Sequence, residues 1–339
     1  MNIILGIESS CDETAASVYH QEKGVLSNPL FSQIALHKEF GGVIPEIASR
    51  SHLEKINSIV QEALDRAKIT LDDITAIAVT SKPGLPGSLL VGLCFAKAIV
   101  LSRGIKIIGI NHLEGHVFSA CIENDVPFPH LCITASGGHT SMYLVHDFGN
   151  YELIGETLDD AAGEAFDKIS KLLNLGYPGG PIIERLAAEV AFEDFFHYTR
   201  GNSKAIDFSF SGLKTAVLYD LVARGAYDMK IKKFLKEDDL FFKQQVASSL
   251  LVAITDVFKN KIILACKLHP EIKAVTFVGG VACNKYIKNQ LTALTQKLHL
   301  PFFTPSPAYC TDNGAMIAFV GNYKALKNEF SDLDVDILK

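Results

Sequence analysis

The chain has 339 residues, more than one hydrophobic core usually holds, so we expect two domains. Hydrophobic residues make up 48% and charged residues 21% of the chain, a balance typical of a well-packed α/β protein and not of a disordered one. The net charge of −6 excludes a general attraction to nucleic acid, so RNA binding would need a local basic patch or the charge of a partner. The seven cysteines contain no Cys-x-x-Cys pair, which argues against a disulfide framework or a thiolate zinc site and indicates a reducing compartment.

The first third of the chain alternates between strand and helix patterns. Residues 2–8 and 15–20 predict a β-hairpin around a polar turn, and residues 52–68 have the apolar spacing of a helix. A strand is predicted over 74–80, followed by an apolar helix that ends at Gly104 and then by a second strand. The apolar helix contains a lysine and falls short of a membrane span, and the N-terminus lacks the pattern of a signal peptide. We therefore expect a cytoplasmic protein with no membrane contact.

The strand–turn–strand pattern of the N-terminus recurs at residues 130–147, which indicates a faint internal duplication. A long helix over 238–268 and a strand over 274–280 follow, and a closing helix begins at about Asp312. The basic run over 230–236 is interpreted as a solvated helix face rather than an RNA-binding patch. Because no long linker separates the halves, we expect two lobes that pack around a cleft.

Three glycine-rich segments have the composition of ligand-binding turns. Residues 135–140 join two predicted strands, and residues 278–284 lead from a strand into a helix, where backbone N–H groups can hold an anion. Residues 176–181 form the third segment. Each alone is more often a simple turn, but together they favour a phosphate or nucleotide ligand. The sequence has neither a P-loop nor a dinucleotide-binding glycine motif.

A His-x-x-x-His pair follows the second buried strand. At a helix start, His112 and His116 would lie on one face within reach of one metal ion, with Asp312 as the best candidate for a third ligand. The alternative is that both histidines are hydrogen-bonded polar groups and that Asp312 caps the last helix. Zinc proteases place a glutamate after the first histidine, and Leu113 stands there, so a metalloprotease is disfavoured.

Carboxylates bracket the first polar turn. Glu8, Asp12 and Glu13 could supply a general base or hold a metal-bound water, although a solvated turn explains at least one of them. Asp167 lies early in a predicted helix and either points into the cleft or pairs with a neighbour. Two further segments, 41–52 and 209–217, have unusual compositions for loops, but their spacing indicates no particular chemistry.

Ordered motifs over nearly the whole chain resemble the universal tRNA threonylcarbamoyladenosine-forming transferase family, whose members were formerly described as O-sialoglycoprotein endopeptidases. A single motif would be weak, whereas ten in the family order are specific. They are GIESSCDETAAS, GGVIPEIASRSH, KPGLPGSLLVG, NHLEGH, SGGHT, TLDDAAGEAFDK, YPGGP, FSFSGLKTA, GGVACN and CTDNGAMIA.

The resemblance implies an α/β fold of the actin-like ATPase class, with two duplicated ribonuclease-H-like lobes and an interlobe cleft. The expected N-terminal lobe comprises residues 1–129 and 311–339, and the expected C-terminal lobe comprises residues 130–310. The chain resembles the free-standing bacterial or organellar form, without a fused kinase domain.

The resemblance also implies the reaction. Threonylcarbamoyl-AMP would donate its threonylcarbamoyl group to N6 of adenosine 37 in tRNAs that read codons starting with A. The metal ligands of the family fall on His112, His116 and Asp312, with Fe²⁺ expected and Zn²⁺ as the alternative. Asp12 or Glu13 is the candidate acceptor of the N6 proton.

The adenylate-binding positions of the family fall on the glycine-rich segments and on nearby polar residues. Glu184 stands where many members have aspartate, which weakens the expectation of a ribose contact, and GGVACN departs from the usual residues at two positions before Asn284. The implied positions are Ala135, Ser136, Gly137, Gly138, His139, Asp167, Gly180, Glu184 and Asn284.

The expected partners are tRNA, a smaller paralogue of the same fold and a P-loop ATPase of the same pathway. The predicted helix over 52–68 could offer the paralogue a surface, although core packing alone explains its apolar stripe. Two other functions remain open. One is an actin-like small-molecule kinase, which needs no histidine pair, and the other is an ATP-binding scaffold subunit without catalysis of its own.

Overall fold

The computed structural model describes residues 1–40, 42–202 and 204–337. The chain divides into two compact units, of which the first comprises Met1–Asp125 and the C-terminal segment from Pro305, and the second comprises Val126–Thr304. Each unit contains a mixed sheet with helices packed against it.

The strands are taken in chain order. Those of the first unit are β1 (Ile3–Glu8), β2 (Glu13–His20), β3 (Gly24–Ser27), β4 (Leu30–Ser32), β5 (Ala76–Lys82) and β6 (Lys106–Asn111). Those of the second unit are β7 (His130–Ala135), β8 (Thr140–Asp147), β9 (Asn150–Glu156), β10 (Tyr227–Asp228), β11 (Lys233–Phe234), β12 (Ala274–Val278) and β13 (Phe302–Phe303).

The helices are described in the same order. The first six are α1 (Ile34–His37), α2 (Pro45–Ala67), α3 (Pro86–Arg103), α4 (His112–Phe118), α5 (Ala162–Leu172) and α6 (Gly179–Ala188). The remainder are α7 (Ser211–Ala223), α8 (Leu240–Leu268), α9 (Lys285–Lys297), α10 (Pro307–Cys310) and α11 (Gly314–Leu326), and 3₁₀ turns lie at Lys38–Phe40, Leu71–Asp73, Ser119–Ile122 and Gly280–Cys283.

The two main sheets have the same strand order. In the first unit the order is β3-β2-β1-β5-β6, and in the second it is β9-β8-β7-β12-β13. In both sheets the first three strands in sequence pair antiparallel, and the last two extend the sheet in parallel. The internal duplication and the N-terminal hairpin that the sequence predicted are therefore confirmed.

The core of the first unit forms on both faces of its sheet. Leu5 and Ile7 of β1 pack with α2 and α3, while the alternate residues of β1 face α11, as the two-residue period of a strand requires. A Cβ on Gly6 would lie 2.4 Å from the carbonyl oxygen of Gly314, so glycine at this position lets the start of α11 lie directly on the sheet. This close approach fixes where the residues just before α11 lie.

The prediction of a helix over the basic run 230–236 is wrong. The segment instead forms a two-stranded hairpin, in which Lys233 pairs with Asp228 and Phe234 is buried. The Asp228 carboxylate accepts hydrogen bonds from the backbone N–H groups of Lys230 and Ile231, so local turn chemistry replaces helical hydrogen bonding.

The apolar helix α3 spans Pro86–Arg103 and ends at Gly104, as predicted. Its 18 residues make it long and apolar enough to cross a membrane, judged by length and composition alone. The sequence had predicted that this helix falls short of a membrane span. One such helix is weak evidence for a membrane span, because Leu93, Ala96 and Val100 of α3 belong to the hydrophobic core of the first unit.

Candidate functional site

Polar side chains collect where neighbouring parallel strands of the first unit end. Glu8 is the last residue of β1, Thr80 lies near the end of β5, and His112 directly follows β6. These three strands are adjacent in the sheet, and ligands of open α/β sheets bind beyond the carboxyl ends of such strands. The three side chains are buried and hydrogen-bonded to one another through Glu8.

The histidine pair begins a helix, as its sequence context predicted. Asn111 caps α4, and its side-chain oxygen accepts hydrogen bonds from the backbone N–H groups of Leu113 and Glu114. His112 and His116 consequently lie one turn apart, with ring centroids separated by 4.7 Å, and both are buried.

Asp312 meets both histidines, although it does not cap α11. The capping residue is Asn313, whose side chain accepts a hydrogen bond from the backbone N–H of Met316, so the expectation that Asp312 serves as the cap is wrong by one residue. The Oδ1 atom of Asp312 lies 3.0 Å from Nε2 of His116 and 3.5 Å from Nε2 of His112. The close packing of α11 on β1 places this carboxylate at the strand ends.

Within this cluster, the neighbouring charges shift the pKa values of His112 and Glu8 in opposite directions. Burial alone would lower the pKa of His112, but the charges of Asp312 and Glu8 raise it to about 9. Burial alone would raise the pKa of Glu8, whereas the charge and the hydrogen bond of His112 lower it below the usual value. Without a bound cation, the imidazolium of His112 therefore compensates the carboxylates.

The cluster also fits a divalent metal ion. One ligand atom from each of His112, His116 and Asp312 lies within 4.8 Å of the others. Two imidazoles and one carboxylate form a donor set that suits Fe²⁺ or Zn²⁺ and leaves coordination positions for other ligands.

Asp12 lies in the turn after β1, and Glu13 is the first residue of β2. Asp12 is 9% exposed, and its backbone carbonyl accepts a hydrogen bond from the N–H of Gln33. Burial, together with the charges of Asp312 and Asp12, raises the pKa of Glu13 to about 10, so the Glu13 carboxyl keeps its proton at neutral pH when no cation is bound. Asp12 is thus the better candidate for a proton acceptor.

In the second unit, residues 135–139 form a tight turn between β7 and β8. The backbone N–H of Ser136 donates to the carbonyl of His139 over 2.8 Å, and the N–H of His139 donates to Oγ of Ser136 over 3.1 Å. Gly137 and Gly138 are exposed, and a Cβ on either would meet no atom of the described chain within 4 Å. A ligand can therefore approach this backbone closely.

Two other glycines bring neighbouring segments against this turn. A Cβ on Gly163 would lie 2.5 Å from the carbonyl oxygen of Ser136, and one on Gly279 would lie 2.5 Å from that of Ala135. Gly279 also has a φ of +91°, which favours glycine. The start of α5 and the 3₁₀ turn before α9 consequently lie beside the turn.

The remaining predicted nucleotide-binding residues have structural partners. Asp167 accepts a hydrogen bond from the backbone N–H of Gly179 over 2.6 Å, and Glu184 accepts one from the backbone N–H of Tyr286 over 2.9 Å. Asn284 caps α9. Gly180 follows Gly179 in the first turn of α6, and a Cβ there would meet open space. These bonds join the starts of α6 and α9 to the region of the turn, so each polar residue has a structural role whether or not it also contacts a ligand.

Comparison with known proteins identifies the family. The family model for tRNA N6-adenosine threonylcarbamoyltransferase, TsaD, matches residues 24–319. The protein of that name from Syntrophotalea carbinolica is 45% identical over 336 residues, which are 98% of this chain and 95% of the relative. The one from Clostridium perfringens strain 13 is 45% identical over 337 residues, which are 98% of this chain and 96% of the relative.

The chain belongs to the tRNA N6-adenosine threonylcarbamoyltransferase family.

Solved structures agree with the fold of this threonylcarbamoyltransferase family member. Full-length HypF in its phosphate- and nucleotide-bound form has a TM-score of 0.63 at 14% identity, covering 97% of this chain and 56% of HypF. Component A of the (R)-2-hydroxyglutaryl-CoA dehydratase of Acidaminococcus fermentans has a TM-score of 0.56 at 15% identity, covering 96% of this chain and 100% of component A. Such likeness concerns the fold alone, and it confirms the predicted actin-like α/β class.

The two segments whose sequence indicated no particular chemistry form hydrogen bonds in the structure. In the segment 41–52, of which Gly41 is outside the described residues, His52 bonds to Thr14 and to the carbonyl of Cys11. In the segment 209–217, Ser209 and Ser211 donate hydroxyl hydrogen bonds to the Asp159 carboxylate, which also accepts backbone bonds and has its pKa lowered to about 2. Burial opposes this shift in the pKa of Asp159, and the hydrogen bonds outweigh it.

Glu114, on the helix of the histidine pair, bonds outside the cluster of His112, His116 and Asp312. It is buried and forms an ion pair with Lys324 of α11 over 3.0 Å. Two residues along a helix from His112, Glu114 lies on another face of α4 than the histidine pair, as the helical period requires.

Proposed function

We propose that this chain transfers the threonylcarbamoyl group of threonylcarbamoyl-AMP to N6 of adenosine 37 in tRNAs that read codons starting with A. The observation that carries the proposal is the 45% identity to tRNA N6-adenosine threonylcarbamoyltransferases over 98% of the chain. The buried cluster of His112, His116 and Asp312 supports it, because an actin-like kinase needs no such donor set.

The proposed reaction is an acyl transfer. The N6 amine of adenosine attacks the carbamoyl carbonyl carbon, the bond from this carbon to the phosphate oxygen breaks, and AMP leaves with the bonding electrons. One proton leaves N6 for a base on the protein. Because the mixed anhydride is already activated, no ATP is consumed in this step.

His112, His116 and Asp312 would hold a divalent ion, Fe²⁺ in the first instance and Zn²⁺ as the alternative. When bound, such an ion supplies a positive charge that stabilises developing negative charge on the donor. The protein contributes the fixed positions of the three ligands, since Asn111 and Asn313 cap the helices that begin beside them.

We assign Asp12 as the acceptor of the N6 proton, with Glu13 beside it as a group that keeps its own proton. Burial is the largest cause of the raised pKa of Glu13 and does not depend on a bound ion, and a protonated carboxyl cannot accept the proton.

The turn at residues 135–139 is assigned to the phosphate of the adenylate. A ligand can approach Gly137 and Gly138 closely, since both residues are exposed and a Cβ on either would meet no described atom within 4 Å, and backbone N–H groups in such a turn can donate to phosphate oxygens. Asp167, Gly180, Glu184 and Asn284 are assigned to the rest of the adenylate site by the family motif. Glu184 stands where many members have aspartate, and its carboxylate accepts a hydrogen bond from the backbone N–H of Tyr286.

The proposed protein partners are the smaller actin-like paralogue and the P-loop ATPase. A groove of about 340 Å³ between α2 and α3 supports a docking face for the paralogue, because Leu53 is 70% exposed and Leu90 is 45% exposed there. The other lining residues are Ile56, Val91, Cys94 and Phe95. We place the reaction in the cytoplasm, with its tRNA substrate.

The test is a transfer assay with unmodified tRNA, threonylcarbamoyl-AMP, the partner proteins and the purified chain. Nucleoside mass spectrometry should find threonylcarbamoyladenosine with the wild type and none with His112→Ala/His116→Ala. His146→Ala is the matched control, since His146 is exposed on β8 and far along the chain from the cluster. Equal product from the double variant would favour the scaffold function, and no product from the wild type would contradict the proposal.

A further inference from the structure

Glu8 makes a direct contact with a candidate metal ligand. Its Oε2 atom lies 3.1 Å from Nδ1 of His112, and both side chains are buried. The hydroxyl oxygen of Ser10 lies at the same distance from this nitrogen and can act as a second acceptor. Because a carboxylate only accepts, Nδ1 of His112 carries the hydrogen.

The Glu8 carboxylate is itself held in place by the protein. Thr80 Oγ1 donates to Oε2 over 2.6 Å, and the backbone N–H of Ser10 donates to Oε1 over 2.5 Å. Glu8 and Thr80 are 0% exposed. The carboxylate therefore has both oxygens bonded and one fixed orientation, set by two adjacent strands of the sheet.

We propose that Glu8 is the positioning residue that directs Nε2 of His112 toward the metal ion. With one hydrogen held on Nδ1 by Glu8, Nε2 is the nitrogen that can give up its hydrogen and bind the ion, and it lies 3.5 Å from Oδ1 of Asp312. A carboxylate behind a metal-binding histidine fixes the ring and makes the ligand nitrogen more basic. The inference rests on the metal site of the proposed function.

The two histidines differ in this respect. Nδ1 of His116 is buried and has no hydrogen-bond partner among the described residues, so no carboxylate fixes that ring in the same way. In the metal-free chain the His116 ring bonds through Nε2 to Asp312, itself a candidate ligand, whereas Glu8 holds His112 through Nδ1, the nitrogen that does not bind the ion. The Kd of the site for a metal ion should therefore depend on Glu8.

The experiment measures the Kd of the purified metal-free chain for Co²⁺, from the absorption bands of the bound ion. Glu8→Gln keeps the shape of the side chain but replaces one acceptor with a donor, and we expect its Kd to rise about 10-fold to 100-fold. Thr80→Val removes a hydrogen bond to Glu8 without touching His112, and its Kd should rise by a smaller factor. Thermal unfolding of each metal-free variant shows whether the fold is kept.

Glu114→Gln is the matched control. It removes a buried carboxylate from the same helix as His112, but that carboxylate bonds to Lys324 and not to a candidate ligand. Its Kd for Co²⁺ should stay within about 2-fold of the wild type. Weaker binding in the Glu8 and Thr80 variants, with an unchanged control, supports the inference.

Two outcomes overturn the inference and are distinguishable. If Glu8→Gln binds Co²⁺ as tightly as the wild type, or if Glu114→Gln loses as much affinity, Glu8 does not position the ligand, and the proposed metal site stands. If the wild type binds no Co²⁺ and His112→Ala/His116→Ala behaves identically, the proposed metal site fails, and the role of Glu8 fails with it.

Discussion

The ring of His52 joins helix α2 to the side chain of Thr14. Nδ1 of His52 accepts a hydrogen bond from Oγ1 of Thr14 over 2.8 Å, and Nε2 donates to the carbonyl of Cys11 over 3.0 Å. His52 is fully buried, and burial lowers its pKa, so the neutral ring satisfies both bonds. The segment between Cys11 and Thr14, which carries Asp12 and Glu13, is thereby braced against α2.

Replacing His52 with leucine should slow the reaction without unfolding the chain. The substitution His52→Leu leaves the carbonyl of Cys11 without its donor, at a cost of about 1–3 kcal/mol, and frees the segment that carries Asp12. We expect the single-turnover rate of transfer to fall by about 10-fold to 100-fold, because small displacements of reacting groups are costly. Circular dichroism should show unchanged helix content.

A double-mutant cycle with Thr14→Val tests whether the two residues act as a pair. The losses of unfolding free energy in His52→Leu and Thr14→Val should not add in the double variant, since either substitution alone removes the hydrogen bond between the two side chains. Additive losses in unfolding free energy would show that His52 acts through other contacts.

Asp12 and Glu13 should respond differently to loss of charge. Asp12→Asn removes the proposed base, and we expect the single-turnover rate to fall on the order of 10²-fold or more. Glu13→Gln replaces a carboxyl that holds its proton, so its rate should fall by less than about 10-fold. Rapid-quench measurements at pH 7 with saturating donor separate the two. An unchanged rate in Asp12→Asn would remove Asp12 from this role.

His130 should make the second unit less stable in mild acid. Its ring is fully buried, neither ring nitrogen has a partner among the described residues, and burial lowers its pKa from 6.5 to about 4. As the pH falls, the unfolded chain takes up the proton first, so the stability that is present above pH 6.5 is lost between pH 6.5 and 4. Between pH 7 and pH 5 this loss is about 2 kcal/mol.

The substitution His130→Phe removes the titrating ring and suits the apolar site beside Phe128, whose ring centroid is 5.2 Å away. Urea unfolding of both proteins at pH 7 and pH 5 should show a smaller pH effect in the variant, by about the same 2 kcal/mol. An identical pH effect in the two proteins would mean that His130 is not the group responsible.

The groove between α2 and α3 provides a test of the proposed docking face. Leu53→Asp places a charge in the groove and should abolish binding of the paralogue, measured by calorimetry. Leu101→Asp is the control, because Leu101 lies on α3 outside the groove and is 67% exposed, close to the 70% of Leu53. Equal affinity of the two variants for the paralogue would place the interface elsewhere.

Local patterns carried most of the fold prediction. The alternation in residues 2–20 predicted the β1–β2 hairpin, and the apolar spacing over 238–268 predicted α8 to within two residues. Both signals depend on neighbours in sequence. The helix prediction at residues 230–236 was wrong because it rested on the run of lysines alone. The neighbouring Asp228 side chain instead stabilises a turn there.

The site depends on contacts between distant positions. Asp312 and His116 meet across 196 positions because glycine at residue 6 lets α11 lie on the sheet, and no local pattern contains that information. Helix spacing and the resemblance to a family both indicated the three candidate ligands, but neither indicated the hydrogen bonds that hold the surrounding segments. The bonds of Glu8 to His112 and of His52 to Thr14 required the structure.

The most direct test of the account is the stoichiometry of the transfer itself. Threonylcarbamoyl-AMP, unmodified tRNA, the chain and its partners are mixed without ATP, and released AMP and modified adenosine are counted in the same samples. The account predicts one AMP for each threonylcarbamoyladenosine formed, because the bond to phosphate breaks only as the bond to N6 forms. AMP release without modified adenosine, or modification that requires ATP when the donor is already supplied, would contradict it.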